Sequence, residues 1–172
     1  MRRPDDHFDA GSDRLAHIRK VMQTARSIEA RRSFGGRLVI AAAYHDIGYA
    51  PDLATTGFHP VDGALVARSD GLDDEIVEAV LHHSGARALA QRTRPDLMPH
   101  YGPECRMMRR ALSRALTFCD THSGPRGETF TLSERIAEIR QRHTGNAPLL
   151  ASLEQHRPDY EALEAEFLPL LR

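Results

Sequence analysis

The chain has 172 residues, 41% of them apolar and 27% charged, which fits one globular domain with a sizeable core. A formal charge of -1 excludes a whole-chain attraction to nucleic acid or to an anionic membrane, and no apolar run approaches the roughly 18 residues of a membrane span. The charged start MRRPDDHFDAGSD has no apolar signal segment, and Cys105 and Cys119 lack metal-finger spacing. The two cysteines therefore read as reduced thiols, and the protein as cytoplasmic.

Residues 1–11 are expected to be a flexible lead-in, with residues 12–172 forming a single domain. Ser12 can cap a first helix, in which Leu15, Ile18, Met22, Ala25 and Ile28 recur at helical spacing. His17 lies at the margin of that stripe and is placed to face inward. Gly35 and Gly36 end the element. Arg37 to Ala43 is almost wholly apolar and predicts a buried helix running into His45 and Asp46, with Gly48 letting the chain leave and Pro51 preventing its return.

The segment from Tyr49 to Gly57 is rich in turn formers. A third helix begins near His59, with Pro60 in its first turn, and Gly71 closes it. Asp73 or Asp74 caps a fourth, which ends at His82-His83-Ser84-Gly85. From Arg87 to Pro103 the pattern predicts a short helical turn and an irregular loop. A long helix is expected from Glu104 to about Thr121, with Met108, Leu112, Ala115 and Cys119 on one face and Asp120 at the edge of its buried side. Thr131 and Glu134 have capping-box spacing, and further helices start near Pro148 and Pro158. No alternating strand pattern occurs. The expected fold is all-α, a bundle of about eight helices, with residues 17–120 carrying the polar motifs and 128–172 a helical C-terminal extension.

His45 and Asp46 sit awkwardly. A carboxylate at the foot of an apolar helix meets roughly half a negative charge from the helix C-terminus and needs a positive partner. A bound cation supplies one; an ordinary hydrogen-bonded core pair is the alternative. His17, His59, His83 and Asp120 add imidazoles and a carboxylate on other helices, a distribution that suits a metal site inside a helical bundle. Imidazole with carboxylate suits iron, manganese, zinc, nickel or cobalt.

The order H…HD…H…H…D resembles the HD superfamily of metal-dependent phosphohydrolases. His17-Ile-Arg-Lys20-Val21 is similar to its H-x-x-R/K-V opening and AAAYHDIGY to its A-x-L-x-H-D-I-G-K signature. His59-Pro-Val-Asp-Gly63-Ala64 is similar to H-x-x-x-G-A, and Ala79-Val80-Leu-His-His83 to A-I-x-x-H. Phe118-Cys119-Asp120 matches an apolar run ending in Asp. The resemblance implies that His17, His45, Asp46 and Asp120 hold a first divalent transition metal. It implies that His59 and His83 hold a second, with Asp46 bridging.

The implied activity is hydrolysis of a nucleotide or other small phosphate ester by metal-activated hydroxide. Lys20 and Arg87 are candidate phosphate contacts, each with a solvated surface role as the alternative. His82 stands open between a substrate contact and a helix-surface residue. Tyr49 replaces the lysine of H-D-I-G-K, and no carboxylate follows within three positions of Asp46, which leaves Asp52 or Asp62 as general acid. No G-Y-P motif of the cyclic-dinucleotide branch is present. His7, His100, His122, His143 and His156 match no part of the pattern and are expected mostly at the surface. A diiron oxygenase with the same six ligands is the first alternative, and a catalytically silent binding module the second. Neither a membrane nor a specific nucleic acid is an expected partner.

Overall fold

The computed structural model describes residues 1–102 and 110–171. Among them are nine α-helices and no strand: α1 (Asp13–Glu29), α2 (Arg37–Tyr44), α3 (His59–Ser69), α4 (Asp74–His82), α5 (Ala86–Thr93), α6 (Ala111–Thr121), α7 (Leu132–Arg142), α8 (Ala147–Gln155) and α9 (Arg157–Phe167). No described helix is long and apolar enough to cross a membrane. The expected helix start at Glu104, Met108 on its face and the Cys105 thiol lie outside the described residues; Cys119 is a free, buried thiol.

The helix starts follow local chemistry. Ser12 Oγ accepts from the Leu15 amide at 3.3 Å, Asp73 Oδ1 from that of Ile76 at 2.9 Å, and Thr131 and Glu134 form the reciprocal capping box. Glu29, at the end of α1, accepts from the amides of Gly36 and Leu38 at 2.8 and 2.9 Å, so one carboxylate satisfies the orphan donors of α2. α2 is the central element: Leu38, Ala41, Ala42 and Tyr44 are fully buried against α1, α4 and α6. α9 covers the other side of α6, where Phe167 meets Phe118 with ring centroids 5.5 Å apart.

Four expectations change. Arg87 to Thr93 belongs to a regular helix, α5, followed by a 3-10 turn at Pro95–His100. Part of the first eleven residues is docked: Pro4 is buried, the Arg2 amide donates to Tyr44 Oη at 2.7 Å and to Asp70 Oδ2 at 2.9 Å, and His7 pairs with Asp52 at 2.7 Å, while residues 9–11 are exposed. His122 and His156 are buried rather than exposed. His122 stacks on Phe118 at 4.0 Å and reaches Glu164 of α9, while His156 packs against Gly85 and Asp159.

Gly48 also acts differently. Its φ is not positive; what it supplies is the absence of a side chain. A Cβ there would lie 2.4 Å from the His59 carbonyl oxygen and 2.7 Å from the Gly63 amide, and one on Gly63 would lie 2.8 Å from the Tyr44 carbonyl oxygen. The 3-10 turn at Ile47–Tyr49 is therefore pressed directly on α3, which brings His59 beside Asp46.

Gly48→Ala is expected to lose about 1–3 kcal/mol in denaturant unfolding, because rigid backbone has to give way; an unchanged midpoint would show that the two segments separate freely. A second expectation concerns pH. Burial alone would raise the Asp70 carboxyl, but hydrogen bonds from Tyr44 and the Arg2 amide, with the Arg2 charge, hold it below the ordinary range. A depressed folded-state pKa contributes stability above the unfolded value, lost as pH falls through the folded one. Asp70→Asn should then be less stable than wild type by on the order of 1 kcal/mol at pH 7, with the gap closing in acid below about pH 4.

Candidate metal centre

Five elements deliver the cluster. His17 comes from the middle of α1, His45 and Asp46 from the residues just past α2, His59 from the first turn of α3, His83 from the end of α4 and Asp120 from the last turn of α6. His45 is fully buried, and His17, Asp46 and His83 nearly so. Two sets of donors, each mutually within 4.8 Å, share one residue: His17, His45 and Asp46, then Asp46, His59 and His83.

Asp46 faces both sets. Its Oδ2 lies 3.6 Å from His17 Nε2 and 3.5 Å from His45 Nε2, while Oδ1 lies 3.3 Å from His59 Nε2. Asp120 Oδ1 approaches His17 Nε2 at 3.2 Å. Its other oxygen accepts from the Ser84 hydroxyl, and Ser84 holds a left-handed backbone, φ 49°, with its amide on Thr117 Oγ1 at 3.1 Å. A non-glycine residue in that region is strained, and the strain here turns α4 into α5 and aims the hydroxyl at Asp120.

The imidazoles are oriented by the backbone. His17 Nδ1 meets the Gly124 carbonyl at 3.0 Å, His45 Nδ1 that of Ala42 at 2.7 Å and His83 Nδ1 that of Val80 at 2.6 Å. A carbonyl can only accept, so each ring carries a proton on Nδ1 and turns Nε2 toward the cluster. The Nε2 atoms of His17 and His45 face each other at 3.3 Å. These nitrogens and the Asp46 carboxylate lie close enough together to hold a divalent cation, with Asp120 beside His17, and the nitrogen–oxygen donor set suits a transition ion.

The electrostatics agree. Burial outweighs the attraction of Asp46 and pushes His45 down to about 4 and His59 down to about 3, so both stay neutral at pH 7. Burial also works against the charged forms of Asp46 and Asp120. The surrounding histidines, with Arg14 at Asp46, overcome it and keep both carboxylates ionised.

Arg14, one turn before His17, escaped the sequence reading. Its guanidinium donates to Asp46 Oδ2 and lies 3.9 Å from the centroid of the Tyr49 ring, which in turn stacks on His59 at 4.0 Å and 16°. The H-D-I-G-Y departure thus has a structural partner: the aromatic ring seats an arginine from another helix. The signal was a cation at i−3 from a candidate ligand, legible only once Tyr49 was known to lie under it. Arg135 and His143 of the C-terminal helices also line the cavity that opens on the cluster, with Arg142 at its exposed edge.

Other candidates lie elsewhere. Asp52 is exposed and bound to His7, and Asp62 is consumed by Thr56 and the Gly57 amide, so neither carboxylate meets the cluster. Lys20 reaches Gln23 on the outer face of α1. His82 is buried edge-on against Tyr101, 5.3 Å between centroids, and neither it nor Arg87 lines the cavity.

Ions that bind only the folded state raise its melting temperature. Addition of Mn2+ or Fe2+ to metal-stripped protein should raise it by several degrees, and His45→Ala, which removes a donor of the first set, should abolish most of the rise; an equal rise in the variant would place the ion elsewhere.

A family model described as HD domain matches residues 14–139. Neither the curated proteins nor the solved structures give a match to this chain. The family match spans well over half of the sequence and takes in every side chain of the cluster, and on that ground the chain belongs to the HD-domain family.

Proposed function

We propose that the protein is a metal-dependent phosphohydrolase acting on a small phosphate ester. The observation that carries this is one buried carboxylate, Asp46, whose two oxygens face two separate sets of imidazoles at the floor of a cavity. One or two divalent ions held there supply Lewis acidity, lowering the pKa of water and screening phosphoryl oxygens.

The chain's own groups account for the rest. His17, His45, His59 and His83 offer ring nitrogens, and Asp46 and Asp120 the compensating charge. Ser84 fixes the rotamer of Asp120, so that one of its oxygens stays toward His17. Arg14 pairs with Asp46 itself, and its planar fork matches two phosphoryl oxygens. Stacking on Tyr49 restricts that fork to one orientation before a substrate arrives. Arg14 therefore takes the role first considered for Lys20.

With metal restored, the protein should release inorganic phosphate from members of a phosphorylated-metabolite panel. Asp46→Ala should reduce kcat on the order of a thousandfold, several kcal/mol of transition-state stabilisation, while the fold persists by circular dichroism. Arg14→Ala should lower kcat/KM about ten- to a hundredfold, the worth of a hydrogen bond to a charged group, and Arg14→Lys should recover little of it. Full activity in Asp46→Ala would remove the assignment.

The shared carboxylate also favours a second reading, a diiron oxygenase, since both sets suit iron. Iron content and a mixed-valent signal in anaerobically purified protein, with no phosphate release from any ester, would select it. Stable metal-free protein with neither activity would leave a binding module.

A further inference from the structure

The cavity, about 370 Å³, has two kinds of wall. The ligand candidates come from α1 to α4 and α6. The apolar part of the remaining lining comes from the residue before α3 and from α5, α7, α8 and α9: Phe58, Leu89, Ile139, Leu149, Leu153 and Tyr160; Arg135, His143 and Ser152 are polar members of the same wall. Leu149, Ser152 and Leu153 recur at i, i+3 and i+4, so one face of α8 is turned to the cavity. Phe58, Leu89, Ile139 and Leu149 remain half-buried, with apolar surface still facing this space.

We infer that this second wall forms an apolar compartment beside the metal centre, and that it selects a phosphate ester whose alcohol part is a compact apolar group, such as a single ring, over a nucleotide. The inference rests on the phosphohydrolase reading and deepens it. Cavities for small molecules run to about 300–1,000 Å³, so this one lies near the lower end. A nucleoside also carries hydroxyls and ring nitrogens that need partners, and those set against Leu89, Ile139, Leu149 and Leu153 are left unpaired at a cost.

Arg135 stands in the same cavity. It is nine-tenths buried and pairs with Glu138 at 2.5 Å, so a charged side chain stands beside the apolar residues. The residues of α8 and α9 in this wall all follow residue 139, where the family match ends.

The test is calorimetric titration of the full-length, Mn2+-loaded protein with three phosphonates that it cannot hydrolyse: methylphosphonate, phenylphosphonate and a nucleoside 5′-phosphonate. Phenylphosphonate should bind about tenfold or more tighter than methylphosphonate, from burial of the ring, and the nucleoside phosphonate no tighter than methylphosphonate. Leu153→Asn should bring the phenyl-to-methyl ratio to about one. Leu149→Asn, at a half-buried position, tests the same point if the first variant unfolds. Equal affinities in wild type, a tighter nucleoside phosphonate, or no phosphonate binding would overturn the compartment. Hydrolysis of phenyl phosphate and glycerol phosphate is followed in parallel. The phenyl preference without cleavage of any ester sinks the hydrolase reading alone, and cleavage without an apolar preference sinks this inference alone.

Discussion

Asp46 holds a full negative charge where almost no water reaches it, only 3% exposed, and a carboxylate in that position must be surrounded by positive or hydrogen-bonding groups. The fold meets this demand from several directions at once. α1 brings Arg14 and His17, the chain itself brings His45, and α3 brings His59 because two glycines let its backbone touch the turn that follows Asp46. Remove that approach and His59 leaves the carboxylate. The apolar packing of α2 is what makes the arrangement rigid: its buried alanines allow α1 and α4 to close in on both sides.

Most of this was legible in the sequence, for physical reasons that differ by element. The helices announce themselves through periodicity and caps, since Ser12, Asp73 and Thr131 each satisfy an amide that helix geometry leaves open. The cluster was legible because imidazoles and carboxylates on inward faces are few and the order of motifs is distinctive. His17, at the margin of an apolar stripe, proved to be buried.

What was not legible depends on contacts between residues distant in sequence. Nothing local to Arg14 distinguishes it from a surface arginine; its meaning comes from Tyr49, thirty-five positions on. His122 and His156 read as leftovers because Glu164 and Gly85, which they meet, lie far along the chain. Asp52 was chosen for nearness along the chain, and nearness along the chain failed: the turn after Tyr49 carries it outward to His7. Gly48 was understood as a place where the chain bends, whereas it is a place where two backbones meet.

The distribution of cavity walls between early and late parts of the chain has an evolutionary consequence. The residues able to hold ions are committed to α1 through α4 and α6, each pinned by backbone carbonyls or by packing, and tolerate little drift. The face of α8 that meets the same cavity supplies no ion-holding candidate, and of its two leucines Leu153 is tied to the core while Leu149 stays half-buried. Sequence change there can retune the ligand without disturbing the donors, so divergence among proteins built this way should concentrate in the last third of the chain.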